Sequence, residues 1–383
     1  MDLVTNAEIS HLVSFRHQLH RLAEPSGAEV RTQSFLLEHL RALAPTCIET
    51  FANSYSILAV FDSGVAGATL LFRGDFDAVR VEESINVPYA SEMPGVSHKC
   101  GHDGHAAILL GLAHNLASYP LKQGRVLLFF QAAEETGDGA RLLLETGVLE
   151  KYSLDAVYAL HNIPGEPMGA VLCKSGSFTC SVVSCEIMLH GRTSHAAEPQ
   201  KAVCPYVAAR TVTDKLLSFN EYDLHRDDFR LVTLVEFRVG EEAYGVTAGD
   251  GVLRFTLRAK EDDLLQVTKK NVEEVVCEAV ADVPGLSSEV VWREYFAASN
   301  NQADAVTRVR CAAETCGLHY SEIELPFSWG EDFGLLTQHY PGALFGLGSG
   351  DQQPSLHNPY FDFPDELLYN AVRLFREIVD EGM

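Results

Sequence analysis

Apolar positions recur at helical intervals over residues 9–22, where Ile9, Leu12, Val13, Phe15, Leu19 and Leu22 fall on one face, and the pattern returns over residues 29–43. Two helices should therefore precede the first strand. Short β-type runs follow at 55–61 and 69–72. The segment between them opens with the turn Asp62-Ser63-Gly64, so a hairpin is the expected connection. Three more apolar runs, at 126–130, 156–160 and 343–347, read as strands. Polar, chemically capable residues come directly after these runs. Residues 69–72 lead to Arg73-Gly74-Asp75-Phe76-Asp77, 126–130 to Gln131-Ala132-Ala133-Glu134-Glu135, and 156–160 to His161-Asn162. After 343–347, Gly348-Ser349-Gly350 opens a loop that reaches His357. Open α/β sheets carry their sites beyond the carboxyl ends of the strands, so these distant segments are expected to converge.

Over residues 178–298 the pattern changes. β-type runs at 180–189, 230–239 and 251–258, a last strand near 289–292, and helical runs at 203–219 and 262–280 spell out a β-α-β-β-α-β module. Residues 299–383 return to the first pattern, with a helix expected over 303–316. The expected organisation is an α/β domain made of 1–177 and 299–383, with 178–298 inserted into it. A length of 383 residues also favours two domains over one.

Composition narrows the partners. Hydrophobic residues make up 46% of the chain, ample for packed cores. Against 29 basic residues stand 53 acidic ones, a net charge of -24, and no Lys/Arg cluster offsets it locally, so nucleic acid is not an expected partner. The first eight residues lack a basic leader and apolar core, and no apolar run approaches membrane-spanning length. A cytoplasmic location without a membrane partner is expected. Nine cysteines, an odd number with no framework spacing, fit reduced thiols, most of them expected to be buried as small hydrophobes. His17 and His20 have no acid or thiol near them in sequence and are expected to serve packing.

The densest chemistry lies in the stretch Pro94-Gly95-Val96-Ser97-His98-Lys99-Cys100-Gly101-His102-Asp103-Gly104-His105. Cys100 and His102 are two apart, so on a continuous helix they would face different sides; they reach one ion only from a loop or a helix's first turn. Thiolate and imidazole together suit zinc or another transition ion. Adjacent Glu134 and Glu135 taken alone would read as a solvated helix start, and their weight comes from their place after a strand.

In this order, RGDFDAV, HKCGHDGH, FQAAEETGDGA, ALHNIP, GRTSHAAEP, GEDF and LHNP resemble the aminoacylase/carboxypeptidase family of two-metal peptidases, and within it the amidohydrolase branch of hippurate and auxin-conjugate hydrolases. The resemblance runs from FRHQLHRLAEP, at Phe15, to the last helix. It implies a metallopeptidase-type catalytic domain with a central mixed sheet flanked by helices, and an inserted module that serves as lid and dimerisation domain. It also implies that Cys100, His102, Glu135, His161 and His357 bind two divalent ions per subunit, drawn from manganese, zinc, cobalt and nickel. Glu134 would be the general base, with Asp77 and His105 supporting residues close to the ions. His195 would reach the active site of the partner subunit in a homodimer and donate to the oxyanion.

The implied reaction is hydrolysis of an N-acyl amino acid to a carboxylic acid and a free amino acid. A dipeptidase or carboxypeptidase of the same family is the alternative, followed by a non-catalytic metal-binding relative. The chain keeps Glu134 and all five ligand positions, which speaks against the last. One stretch departs from the branch's pattern: where an Asn usually helps hold the substrate, this chain has Tyr244-Gly245-Val246-Thr247-Ala248-Gly249, and Gly245 offers no amide side chain. The module's arginines, Arg192, Arg238, Arg254 and Arg258, are expected to be surface charges.

Overall fold

A computed structural model of the protein describes residues 6–383. The chain forms two units, one comprising the chain up to Phe178 with Ser299–Glu324 and Glu331–Met383, the other Thr179–Ala298 with Leu325–Gly330. In the first unit α1 (Asn6–Leu22) and α2 (Val30–Ala42) lie where the helical spacing of apolar residues puts them. Next come β1 (Cys47–Phe51), β2 (Ser54–Asp62), β3 (Thr69–Asp75), α3 (His102–Ser118), β4 (Arg125–Gln131), α4 (Gly139–Glu145), β5 (Ala156–Ile163), β6 (Val171–Cys173) and β7 (Gly176–Ser177).

The expected hairpin between residues 55–61 and 69–72 is absent. β2 pairs antiparallel with β1 and with β4, and β3 lies beyond β4, parallel to it and to β5. The turn at Asp62 does form, with Gly64 N–H donating to Asp62 Oδ1 at 2.8 Å, but Ser63 N–H bonds Gly124 O ahead of β4. Burial explains the choice. All seven residues of β3 are buried, so it requires a neighbour on each edge and a layer on each face, which only the middle of the sheet supplies.

The second unit runs β8 (Ser181–His190), α5 (Tyr206–Leu217), β9 (Arg230–Val239), β10 (Asp250–Ala259), α6 (Asp262–Ala281), β11 (Ser287–Phe296). This is the β-α-β-β-α-β order of the sequence pattern, closed into an antiparallel sheet in the order β11-β8-β10-β9. Period-two burial along β8 and β10 turns Cys185, Ile187, Leu253 and Phe255 toward Val212 and Leu216 of α5 and Val272 and Val276 of α6. Leu325–Gly330 joins this unit through Cys180 N–H to Phe327 O at 2.9 Å and Arg258 to Ser328 O at 3.0 Å. Arg254 bridges Glu186 and Glu236 on the exposed face, and Arg238 also pairs with Glu236.

Back in the first unit, β12 (Asn300–Asn301) pairs with β7, clamping together the points where the chain leaves and returns. Then follow α7 (Ala303–Thr315), β13 (Tyr320–Glu322), α8 (Gly334–His339), β14 (Gly342–Gly348) and α9 (Leu367–Gly382). The mixed sheet has the order β1-β2-β4-β3-β5-β14-β6-β13. Its central strands β4, β3, β5 and β14 run parallel, so their carboxyl ends share one edge. The core at this sheet joins Leu70 and Phe72 of β3 with Ile108 and Leu112 of α3, Phe15 of α1 and Val372 and Phe375 of α9.

Two expectations about side chains are corrected. Only Cys100, Cys173, Cys180 and Cys185 are buried; Cys47 in β1 and Cys277 in α6 are exposed on outward positions of their elements, and Cys204 is exposed in the loop before α5. His20 is not apolar packing: its ring lies between Asp103 Oδ2 and Glu83 Oε1, each at 2.8 Å. These acids come from distant segments, and, against burial, they raise His20 to about 9. Arg16, also fully buried, bonds Asp103, Asp362 and Asp365. This ion cage ties α1 to the start of α3 and to the segment after His357. Among the described residues, no helix is long and apolar enough to cross a membrane.

Removing one member of a buried ion pair leaves its partner uncompensated. Arg16→Met should therefore lower the free energy of unfolding by about 3–5 kcal/mol, read as a fall in the urea midpoint. A loss below about 1 kcal/mol would mean that Asp103 is not held by this cage.

Candidate active site and metal centre

The parallel strands deliver their polar ends to one edge of the sheet. Asp77 lies just past β3, Glu134 and Glu135 on the turn after β4, His161 among the last residues of β5, and His357 on the loop after β14. Cys100 and His102 flank the start of α3. Between them Gly101 takes φ +96°, and a Cβ there would stand 2.5 Å from Asn162 Oδ1. Only glycine fits this reversal, and it lets thiol and imidazole point to one place. His357 also has a positive φ, +62°, and its N–H donates to Lys99 O at 2.7 Å, tying the last loop to the Cys100 segment.

Ligand atoms of Cys100, His102 and His161 lie within 4.8 Å of one another, as do those of Cys100, Glu135 and His357, and those of His102, Glu134 and Glu135. Cys100 Sγ is 3.5 Å from His161 Nε2, and His357 Nε2 is 3.3 Å from Glu135 Oε1. The three sets overlap pairwise at Cys100, His102 and Glu135, an arrangement suited to two adjacent ions. The histidines are oriented for it. His161 directs Nδ1 to Asn162 O at 2.9 Å, turning Nε2 toward the thiol. His102 directs Nδ1 to Asp77 Oδ1 at 3.1 Å, leaving Nε2 buried without a hydrogen-bond partner. Asp77 acts on both neighbours, since its Oδ2 accepts from Glu135 N–H at 3.1 Å and from Ser26 Oγ at 2.7 Å. His105 is differently placed: both ring nitrogens are taken, Nδ1 by Asp75 Oδ1 and Nε2 by Asn162 Oδ1, each at 2.6 Å. His195 lies in the second unit, exposed in the loop after β8.

Electrostatics fit the same picture. Burial, with Glu135 and Glu134 beside it, pushes the Cys100 thiol well above its ordinary range. Burial and the acids Glu331 and Glu135 likewise raise the Glu134 carboxyl strongly. Burial, with His105 nearby, holds His161 neutral and so able to ligate. Although burial opposes it, Asp75 and Asp77 raise His102 to about 10. A thiol and carboxylates gathered this closely call for a cation, and the soft and borderline donors present fit divalent transition ions.

Behind Glu134 lies a set of residues to which the sequence pattern assigns no role. Arg73, fully buried in β3, bonds Asp75, Glu331 and Asp332. Asp332 also accepts from Gln131 Nε2 at 2.6 Å and Ala140 N–H at 2.9 Å, while its own N–H donates to Glu134 Oε1 at 3.2 Å. An arginine directly after the apolar run 69–72 was the available signal, because a charge at the end of a buried strand is buried only with partners.

The sequence profile of Peptidase family M20/M25/M40 matches residues 71–381. An N-acetyldiaminopimelate deacetylase of Bacillus velezensis is 30% identical over 382 residues, covering 96% of this chain and 97% of the relative. An N-acetylcysteine deacetylase of Bacillus subtilis is 28% identical, covering 96% of each. The crystal structure of the Bacillus subtilis YXEP protein, a dinuclear metal-binding peptidase of the M20 family, superposes with a TM-score of 0.82 at 26% identity, covering 98% of both chains. With a match across most of its length and the same α/β architecture, the chain belongs to Peptidase family M20/M25/M40.

Proposed function

We propose that this protein is a metal-dependent amidohydrolase that cleaves the amide bond of an N-acyl amino acid, yielding a carboxylic acid and a free amino acid. The carrying observation is the convergence of Cys100, His102, Glu135, His161 and His357 beside a buried carboxyl, Glu134. The two deacetylase relatives support a short acyl group on the substrate. Cys100, His102, Glu135, His161 and His357 would hold two divalent ions, with manganese, zinc, cobalt and nickel all compatible with these donors. When bound, the ions supply Lewis acidity that polarises the amide carbonyl and acidifies water.

The chain's own residues do the rest. Glu134 takes the proton of the attacking water as the O–C bond forms, and returns it to the nitrogen as the C–N bond breaks. The Asp332 N–H aims this carboxylate, and burial with the surrounding acids Glu331 and Glu135 raises its affinity for a proton. Asp77 fixes the His102 tautomer and the Glu135 backbone, a positioning role.

His195 serves as the oxyanion donor from a second subunit. Its Nδ1 accepts Ala197 N–H at 3.0 Å, so in the neutral ring the proton sits on Nε2, a donor. A dimer through the second unit is supported by the edge position of β9, where Val235 and Phe237 are exposed, and by Tyr206 and Val207 exposed on α5. The nine free cysteines support a reducing, cytoplasmic setting.

Three measurements test this reading. Chelation should abolish hydrolysis, and Cys100→Ala should lower metal content; a fully loaded Cys100→Ala protein removes Cys100 from the ligand set. Glu134→Gln keeps the shape but cannot take a proton, so turnover of an N-acetyl amino acid should fall ~100-fold or more with metal retained. Turnover near wild type would place the base elsewhere. Inactive His195→Ala and inactive Glu134→Ala subunits, mixed after dissociation, should regain roughly a quarter of wild-type sites, because half of random dimers carry one intact composite site. No recovery after verified exchange would assign His195 to its own subunit.

A further inference from the structure

The loop between α1 and α2 touches the site at two points that the mechanism does not use directly. Ser26 Oγ donates to Asp77, and Glu29 Oε1 accepts the N–H of Ala133 at 2.8 Å. Glu29 is fully buried and occupies the N-cap position of α2, yet its side chain does not cap the helix. Capping falls instead to Glu24, whose Oε2 accepts the Thr32 N–H at 2.9 Å and hydroxyl at 3.0 Å. A buried carboxyl released from its local task is turned across 104 positions of sequence onto the turn ahead of Glu134.

That turn needs holding. Ala133 has φ +57°, the left-handed region that alanine seldom adopts, and it is the residue immediately before Glu134 and Glu135. Its carbonyl is fixed by Gly139 N–H at 3.0 Å and Asp138 N–H at 3.2 Å, and its N–H by Glu29. Ala133 is 6% exposed, so without Glu29 that N–H would be buried with no water to replace its partner. A return of Ala133 to negative φ would swing both glutamates away from the ligand cluster.

We propose that Glu29 is a positioning residue of the active site: by accepting the Ala133 N–H it holds the strained turn that presents Glu134 and Glu135, while Ser26 holds Asp77 from the same loop. The proposal rests on the amidohydrolase reading for what the two glutamates do. Burial, then the neighbouring Asp77, push the Glu29 carboxyl up to about 7, so a charged group is disfavoured there. Hydrogen-bond acceptance, not charge, is what the turn requires. A neutral acceptor of the same shape therefore suffices.

The test compares Glu29→Gln, which keeps the acceptor, with Glu29→Met, which keeps the volume and loses it. Both are assayed in the metal-loaded protein for kcat and KM on an N-acetyl amino acid, for metal content, and for hydrogen exchange of the Ala133 amide. Glu29→Gln should stay within about threefold of wild-type kcat with slow exchange. Glu29→Met should lose ~30-fold or more in kcat with KM little changed, and exchange the Ala133 amide faster. A Met variant matching the wild type, or a Gln variant as impaired as Met, overturns the proposal. Should the Met variant fail to fold, the Gln variant decides: wild-type turnover and slow exchange uphold the proposal, and loss of either defeats it. If the wild type hydrolyses no N-acyl amino acid, the functional reading fails separately, and Ala133 exchange in the variants still decides the role of Glu29.

Discussion

Negative charge gathered at low exposure is the constraint around which this protein is built. Asp75, Asp77, Glu134, Glu331 and Asp332 are buried together with the Cys100 thiol at one sheet edge, and Arg73 is the permanent cation paired among them. Like charges this close raise one another's pKa values or require external positive charge. Burial, reinforced by the first outcome, is visible in Cys100 and Glu134, whose protons are held tightly. The second is what divalent ions at the ligand cluster would supply, and with them Cys100 would ligate as a thiolate.

The scaffold meets this demand by dividing labour between layers of polar residues. His102 Nε2, facing the centre, is left without a hydrogen-bond partner while Asp77 ties down the opposite side of its ring, and Asn162 O likewise holds His161 Nδ1 so that Nε2 faces the Cys100 thiol. Farther out, Arg73 joins β3 to the Glu331-Asp332 segment, and the Arg16 and His20 cage joins α1 to α3 and to the last loop. Each layer uses residues separated by tens to hundreds of positions. Rigidity at the centre is thus a property of the sheet edge and its surrounding loops taken together.

The second unit obeys a different logic. Its sheet and two helices form a separate apolar core, with period-two strands that leave a charged face outside. His195 sits beyond the end of β8 in a loop fixed by Ser194 N–H to Thr247 Oγ1 at 2.7 Å and by Ala196 N–H to Gly245 O at 3.0 Å. At Gly245 it is thus the backbone carbonyl that contributes, bracing the histidine loop. That backbone role is independent of the missing amide side chain.

Sequence alone determined α1, α2, β8, β10 and α6, because apolar periodicity is local and strong there, and it marked the polar residues that come after the apolar runs of β3, β4 and β5 as one edge of chemistry; short pieces such as β1, β6 and α8 carried no such signal. The motifs likewise singled out Cys100, His102, Glu134, Glu135, His161 and His357 as candidates. Strand order was not legible: the turn at Asp62 suggested a hairpin with β3, but β3 is buried on every side and the sheet set β4 between them. Nor was the role of Asp75, Asp332 or Glu29, nor the ionic environment of His20. Each depends on partners brought from far along the chain, and periodicity carries no information about which distant backbone N–H a buried carboxylate will meet. Only the tertiary structure decided those pairings, since a buried charge is tolerated solely where the fold delivers its complement.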